Sequence, residues 1–535
     1  MHEVCGWSPG GRVWRLALCV AVVATLAVGC EAGTAHDRDV LRVAVPGQPA
    51  NLDPNKTSDA ISGYLLTQMH EGLTRHTAEL GVEPALAEKW VFSDDLLTIT
   101  YTLRADAKWS DGKPLTAGDF EYSWKRLLAP ETAAEYAYFM YDIAGAEAYN
   151  SGTGKAEDVG VHAVDARTLV VTLSRPAAYF PHITTFIVTV PVRKDVIEAW
   201  GEDWTLPEHA VYSGPYRVVE WIDEYKMTLE ANPRYPMQKP HIPRLEIYTL
   251  SEKATAINLF VTGRMDLVLD MLPIAIPAYK GKPSYFNGPK LEVRYVGFRM
   301  DNGPIADVRV RKALAMAIQR DEFPRILKGG ELATTTWLPK GMFGNNDAIG
   351  IGYQPEEARR LLAEAGFAGG QGFPRLTLLF RAGEDWRLIA ENLQEQWKRE
   401  LGIEVEIQTR EQKVFFSEIG STAPPPMHLA RWVADFPDPE NFMGLFKGNS
   451  GNNQLAFKNS RYDELVTDAV KQPDPVKRKA MYDAAQQLLV VGDVAIVPIY
   501  TGAQNILMNP DLTGLTFHPM DEFDFEFARW KEEVR

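Results

Sequence analysis

The stretch that decides the fold is residues 374–410, PRLTLLFRAGEDWRLIAENLQEQWKRELGIEVEIQTR. Its two ends, RLTLLFR and GIEVEIQTR, are short apolar or alternating runs that indicate strands. Between them, residues 385–401 space their apolar side chains along one face of a helix. Helix and strand in repeated alternation are typical of an α/β unit with a largely parallel sheet, and ligand sites in such sheets lie at the carboxyl ends of the strands.

The same mixture of helices and strands extends in both directions along the chain. A first strand is predicted from residue 41, a helix headed by Thr116 follows the turn SDGKPLT, and a two-stranded hairpin is predicted over 211–235. The elements have no fixed period, which argues against a solenoid or a propeller. A helix is predicted over 58–73, with Ser58 or Asp59 as its N-cap. Another is predicted over 305–323, with core residues Val308, Val310, Leu314, Ala317 and Ile318. The remaining predicted elements are helices over 355–367, 460–470 and 474–490 and a strand over 164–176.

The first thirty residues have the pattern of a secretory signal. Arg12 and Arg15 precede an apolar or small run over 16–28, which ends at Gly29 and Cys30. That run is shorter than the roughly 20 residues that span a bilayer. We therefore expect residues 1–29 to be a cleaved signal peptide, with a retained membrane anchor as the alternative.

Composition excludes several classes of protein. The 535 residues predict two to four structural units. The three cysteines, Cys5, Cys19 and Cys30, all lie in or at the end of the leader, so the rest of the chain has no disulfide, cysteine-ligated metal or cysteine nucleophile. The net charge of −15 disfavours nucleic acid as a partner, because nucleic acid binds to a basic face.

The sequence gives no positive sign of catalysis. It contains no GxSxG, HExxH, GxxxxGK[ST] or GxGxxG motif, and its ten histidines are scattered. We expect no enzyme activity, cofactor or metal, although a pair of carboxylates brought together by folding stays open at this stage.

One acidic residue lies in an unusual place. In RWVADFPDPENF, residues 431–442, Asp435 stands between an aromatic-rich apolar run and a turn with two prolines. Such a carboxylate is either a turn cap at the surface or a buried charge that needs a cation.

Several long stretches resemble the peptide-binding branch of the solute-binding proteins of ABC importers, family 5, and most of all its oligopeptide-binding members. They include NLDPNK at 51–56, LRADAKWSDGKPLTAGDFEYSWKRL at 103–127, SGPYRVVEW at 213–221, DVRVRKALAMAIQRDE at 307–322 and WVADFPDPENF at 432–442. The resemblance covers nearly the whole chain beyond the leader. It implies an α/β fold of the two-lobed periplasmic-binding-protein type II, with an extra third domain and the ligand in a cleft that closes by hinge motion.

The family's motifs also imply domain boundaries for this chain. Lobe I comprises residues 38–74, 192–298 and 504–535, the extra domain II comprises 75–191, and lobe III comprises 299–503.

The stretch LAVGC at 26–30 resembles the lipobox of bacterial lipoproteins, although Ala27 stands where leucine is usual. The resemblance implies that Cys30 is lipidated and that residues 30–37 form a tether. The alternative is an ordinary cleaved signal in which Cys30 has no role.

The resemblance also implies ligand-binding residues. Asp435 is expected to pair with the α-ammonium group of a peptide, and Tyr136 to line the site. The backbones of Ser58, Asp59 and Ala60 on one lobe and of Trp432 and Val433 on the other are expected to hold the peptide as an added strand. The alternatives are a turn-capping Asp435, a Tyr136 that only packs, and a Trp432 that seals the core rather than flooring a pocket.

Two positions depart from the oligopeptide branch. Leu269 stands where a tyrosine is common, and Arg431 lies beside Trp432, whereas the relatives place the basic residues for the ligand carboxylate a little earlier. The preferred peptide length is therefore open.

The sequence thus predicts an exported, lipid-anchored and monomeric receptor, in the periplasm or on the outer face of the cytoplasmic membrane. Its partners would be short peptides and an ABC permease with its ATPase subunits, and not nucleic acid. One rival is a protein of the same fold for a dipeptide, cell-wall peptide, nickel complex, haem or oligosaccharide. Another is an extracellular hydrolase or a chaperone-like protein.

Overall fold

The structure is a computed structural model that describes residues 37–472 and 474–532, apart from the side chain of Lys413. The predicted signal peptide and Cys30 lie outside the described residues. Within them, no helix is both long and apolar enough to cross a membrane.

The strands are β1 (Val40–Val45), β2 (Thr74–His76), β3 (Val82–Pro84), β4 (Ala87–Phe92), β5 (Thr98–Leu103), β6 (Val161–Ala163), β7 (Thr168–Thr172), β8 (Tyr216–Ile222), β9 (Lys226–Ala231), β10 (Arg244–Thr249), β11 (Leu267–Val268), β12 (Tyr285–Phe298), β13 (Leu332–Ala333), β14 (Leu376–Arg381), β15 (Val405–Arg410), β16 (Met427–Val433), β17 (Ile496–Met508), β18 (Leu512–Thr513) and β19 (Arg529–Trp530).

The α-helices are α1 (Ala60–Met69), α2 (Ala117–Leu128), α3 (Ala146–Asn150), α4 (Phe180–Ile183), α5 (Lys194–Trp200), α6 (Lys253–Val261), α7 (Val308–Met316), α8 (Glu322–Leu327), α9 (Pro355–Glu364), α10 (Glu384–Leu401), α11 (Gln412–Ile419), α12 (Glu440–Met443), α13 (Ser460–Lys471) and α14 (Pro475–Gln487).

The main sheet has the strand order β15-β14-β16-β12-β17-β11-β1-β10-β9-β8, with β13 also paired to β17. The pairs of β1 with β10 and β11, and of β14 with β15 and β16, are parallel. The other pairs are antiparallel. The expectation of a largely parallel sheet is therefore wrong, because the central strands β12 and β17 run against each other and against their outer neighbours. A separate antiparallel sheet, β4-β5-β7-β6, lies inside the range 75–191.

The strand, helix and strand predicted over 374–410 are confirmed as β14, α10 and β15. The two strands are parallel and in register from Leu376 opposite Val405. The helix α10 buries its apolar face, and the indole of Trp397 donates a hydrogen bond of 3.0 Å to the carbonyl of Leu314. Gly402 ends the helix with φ +66°, a conformation that glycine adopts without steric cost.

The helix predicted over 305–323 is wrong in its second half. It ends at Met316 in α7, and a new helix, α8, begins at Glu322. Between them, the backbone N–H of Gln319 leaves the helical pattern and donates to the side-chain oxygen of Gln396 in α10 at 2.6 Å. The buried guanidinium of Arg320 donates to the carbonyl of Pro498 at 2.7 Å. The expected core residues Val310, Leu314, Ala317 and Ile318 are buried, whereas Val308 is half-buried in the first helical turn.

The caps and the hairpin that the sequence predicts are confirmed. Asp59 caps α1, Thr116 and Asp119 form a capping box at α2, and β8 and β9 form an antiparallel hairpin. These features depend on residues close in sequence, which is why a pattern reading finds them.

Two long strands, β12 with 14 residues and β17 with 13, connect two separate hydrophobic cores. One core packs around β1, β10 and the small sheet, and the other around β14, β16 and α10. The pairing of β12 with β17 shifts register between Pro289 and Val293. The two halves of the molecule are therefore joined through a two-stranded ribbon with an irregular middle.

Candidate ligand-binding cleft

Asp435 lies two residues beyond the carboxyl end of β16, where ligand sites of α/β sheets are expected. The turn that follows is held by Asp438, whose carboxylate accepts a hydrogen bond of 3.0 Å from the backbone N–H of Glu440. Arg478 donates to the same carboxylate at 2.8 Å. Asp438 therefore caps this turn, and Asp435 does not have that task.

Asn441, in the first turn of α12, holds Asp435 by two hydrogen bonds and Trp432 by a third. Its amide nitrogen donates to Oδ2 of Asp435 at 2.9 Å. Its carbonyl oxygen accepts from the backbone N–H of Asp435 at 3.1 Å and from the indole N–H of Trp432 at 2.9 Å. Asn441 is not among the site residues predicted from the sequence, although it lies six residues further along the same motif.

The carboxylate of Asp435 has no cationic partner within 4 Å among the residues that the structure describes. Burial raises the pKa of Asp435 to about 7, although hydrogen bonds from Asn441 and Tyr136 act in the opposite direction. The negative charge of Glu522 raises this pKa further. An ionised carboxylate at this place lacks a counter-charge, which is the condition that a bound cation would remove.

Tyr136 reaches the same place from the small-sheet side of the molecule. Its ring packs against Phe139 and Phe186, with centroid distances of 5.0 and 5.2 Å. Burial and then the charge of Asp435 raise the pKa of Tyr136. Tyr136 thus packs and also faces Asp435, so the two interpretations of this residue are compatible.

Ser58 and Asp59 precede α1, and Ala60 is its first residue. The carboxylate of Asp59 accepts from the backbone N–H groups of Ile61 and Ser62 at 3.1 and 2.9 Å, so it serves the helix. Ser58 and Ala60 are exposed, and within the described chain no backbone hydrogen bond involves Ser58. The backbone before α1 is therefore open to an incoming ligand.

Trp432 and Val433 end β16 and pair with β12 on one side only. On the other side, β14 pairs with Met427 and His428, so the edge from 430 to 433 carries no strand of the described chain. An open edge of this kind can take an extended peptide as a further strand. Trp432 is half-buried against the core, so its side chain contributes to sealing the core.

Leu269 and Arg431, the two residues that depart from the oligopeptide branch, each have defined contacts in the structure. Leu269 is half-buried and packs against the larger core. Arg431 forms an ion pair of 3.0 Å with Glu292, which also holds Arg294 at 3.0 Å. Burial acts to raise the pKa of Glu292, but Arg431 and Arg294 hold it well below its usual range.

Next to this pair lies a cluster of guanidinium groups that no sequence pattern predicted. Arg294 and Arg381 lie over the ring of Trp386, at 3.8 and 4.6 Å from its centroid. Burial and then the charges of Arg431 and Arg294 lower the pKa of Arg381 to about 9. The buried Nε of Arg381 has no hydrogen-bond partner in the described structure, so this cluster favours an anion.

Two hydrophobic cores joined by a ribbon of two strands define a class of protein, the two-lobed α/β proteins that enclose a ligand between their lobes. Residues 81–454 match the model of the bacterial extracellular solute-binding proteins, family 5, middle region. The chain belongs to this family, and it is therefore a solute-binding protein rather than an enzyme.

Known relatives agree over almost the whole length. The periplasmic oligopeptide-binding protein OppA of Salmonella typhimurium is 32% identical, covering 94% of this chain and 96% of the relative. The crystal structure of Haemophilus influenzae OppA in complex with RPPGFSPFR has a TM-score of 0.84 at 26% identity, covering 93% of this chain and 99% of that one.

Two structures of a murein tripeptide binding protein MppA also match the chain, the first of them from Escherichia coli. One gives a TM-score of 0.85 at 29% identity, covering 92% of this chain and 99% of that chain. The other, described as the unliganded open form, gives only 0.71 at 28% identity over 93% and 99%. The fold of this protein therefore matches that open form less well than it matches the first structure.

Proposed function

We propose that the protein is an extracytoplasmic receptor that captures short peptides and delivers them to an ABC permease, which its ATPase subunits drive. The observation that carries this proposal is the half-buried carboxylate of Asp435, which is fixed by Asn441 and has no counter-charge within 4 Å among the described residues. The α-ammonium group is the one cation that every peptide with a free amino terminus brings. The peptide-binding relatives support the same ligand class.

The rest of the ligand would be held through its backbone. The open edge of Trp432 and Val433 offers main-chain partners from lobe III, and Ser58, Asp59 and Ala60 offer them from lobe I. Because all peptides share this backbone, such bonds hold many sequences with similar strength. Tyr136 would close the amino-terminal end of the site.

The guanidinium cluster supports a second charged contact. Arg294 and Arg431 are paired with carboxylates, whereas Arg381 has no carboxylate within 4 Å among the described residues. A ligand carboxylate would balance its charge. Peptides have this charge at the opposite end from the ammonium group, which fits two anchors of opposite sign.

The location and the domain boundaries belong to the same proposal. We infer that lobe I comprises 38–74, 192–298 and 504–535, that the extra domain comprises 75–191 and lobe III 299–503. The receptor acts as a monomer, and lipid on Cys30 ties it to a membrane through the tether 30–37. Such a receptor would lie on the outer side of the cytoplasmic membrane.

The first experiment is to purify the processed protein under native conditions, denature it with acid and identify the released small molecules by mass spectrometry. A heterogeneous set of short peptides with free amino termini is the expected result. A single non-peptide compound, such as a nickel complex, haem or an oligosaccharide, would contradict the peptide assignment and leave the family unchanged. Peptides shortened during incubation with a defined mixture would indicate a hydrolase.

A further inference from the structure

A cavity of about 650 Å³ lies between the segments 134–183 and 436–451. Its size falls in the range of about 300–1,000 Å³ that is typical of small-molecule sites. Phe436 and Asn441 line it, and these residues are the chain neighbour and the hydrogen-bond partner of Asp435. The cavity therefore begins where the proposed peptide ammonium group would lie.

The wall of this cavity is aromatic and acidic. Phe139, Tyr179 and Phe436 pack together across the two segments, with centroid distances of 5.7 and 6.0 Å from Phe436. The charged lining residues are four carboxylates and two cations, namely Glu135, Asp142, Glu147 and Glu440 with Arg175 and Lys447. Asp142 is already paired with Arg175 at 2.6 Å. The remaining lining is negative, which favours a cation.

Two polar groups on opposite walls lack partners. Oε2 of Glu440 and the hydroxyl of Tyr138 are both buried and have no hydrogen-bond partner among the described residues. Among the residues that the structure describes, no lysine, arginine or histidine nitrogen lies within 4 Å of the carboxylate of Glu440. Burial raises the pKa of Glu440 to about 7, although Lys447 and Arg175 act to lower it. Buried groups of this kind normally have a partner, and a ligand can supply it.

We propose that this cavity is a subsite for the side chain of the ligand's first residue, and that it favours a basic side chain, with Glu440 as its counter-charge. The inference rests on the proposed function, since it takes the α-ammonium group to lie at Asp435. A lysine or arginine there would donate to Oε2 of Glu440 and lie among the aromatic rings. An apolar side chain would cover the carboxylate without bonding to it, and an acidic one would meet like charges.

The test compares tri- to pentapeptides that differ only in their first residue, lysine or norleucine, both with a free amino group. Norleucine keeps the four-carbon chain of lysine and lacks its ammonium group. Titration calorimetry at pH 8, where Glu440 is ionised, is expected to give about tenfold tighter binding of the lysine peptides. Glu440→Gln should abolish this preference, so that the variant binds the lysine and norleucine peptides with similar affinity. Glu464→Gln, at an exposed position of the same lobe, should keep the preference.

The outcomes separate the two proposals. Equal affinity of wild type for both peptides, or a lysine preference that persists in Glu440→Gln, would overturn the subsite while the peptide receptor stands. If neither peptide binds at any length, both proposals fail. Thermal unfolding checks that Glu440→Gln folds, and Tyr138→Phe provides a second variant without a charge change, for which we expect about a threefold loss of the preference.

Discussion

At the scale of the residue, the proposed function depends first on Asp435. Asp435→Asn keeps the size of the side chain and an oxygen that can accept from Asn441, but it removes the charge. Loss of one member of a buried charge pair costs about 2–5 kcal/mol, so the affinity for free-amine peptides should fall about 30-fold or more. Calorimetry measures this loss, and acetylating the peptide amine should cause a similar loss in wild type. Asp468→Asn, on the exposed face of α13, is the matched control, and equal binding by Asp435→Asn would refute the assignment.

The same residue predicts how the stability of the empty protein depends on pH. The pKa of Asp435 is about 7 in the folded state, against an ordinary aspartate pKa of 3.8, so the folded state binds its proton more tightly than the unfolded state. The free energy of unfolding therefore falls as pH rises from about 4 to about 7. The fall is at most about 4 kcal/mol, and solvent screening of the half-buried carboxylate makes it smaller. Asp435→Asn should be more stable than wild type at pH 8 and equal to it near pH 4 in denaturant unfolding. A less stable variant at pH 8 would mean that Asp435 has a structural role.

At the scale of the element, the open edge of β16 predicts a dependence on the ligand backbone. Replacing one amide of a bound peptide by an ester removes an N–H donor and changes the shape little. Each lost backbone hydrogen bond should weaken binding by about 0.5–1.5 kcal/mol, which is about 2- to 10-fold. A set of ester-containing peptides compared by calorimetry measures this effect, with side-chain changes at the same position as the control. Esters that bind as tightly as amides at every position would contradict strand addition.

The elements also explain what the sequence could predict and what it could not. The helix α10 is found to within one residue, because its apolar spacing and Gly402 are local signals. The prediction of a helix over 305–323 fails in its second half, because the backbone of Gln319 bonds there to Gln396, a residue far away in the sequence. Strand direction in the main sheet fails for the same reason, since pairing partners lie far apart in sequence.

The candidate site divides in the same way. Asp435 and Trp432 lie in a motif that the sequence displays, and their roles in ligand binding stay predictions. Arg294 and Arg381 lie in different elements and meet only at the ring of Trp386, so no sequence pattern marks them. Glu440 lies within the quoted motif, but its lack of a partner depends on the folded surroundings.

At the scale of the whole molecule, attachment to a membrane can be tested directly. Cys30→Ser removes the proposed lipid site, which lies outside the described residues, and we expect the variant to be released into the soluble fraction of the cell envelope. Fractionation and mass spectrometry of the amino terminus measure the location and the lipid. The wild-type protein is expected to stay with membranes and to carry an acylated cysteine. Membrane attachment that is unchanged in the variant would contradict lipidation at this residue.

The two-stranded ribbon of β12 and β17 has a consequence for what a membrane partner can detect. Two hydrogen-bonded strands resist stretching and shear, but a ribbon twists readily, most of all near the register shift between Pro289 and Val293. Such a ribbon would confine the relative motion of the proposed lobes mainly to one twist angle. Chemically different ligands that all allow closure would produce the same external shape. A membrane partner would then need to recognise only that shape, and not the ligand itself.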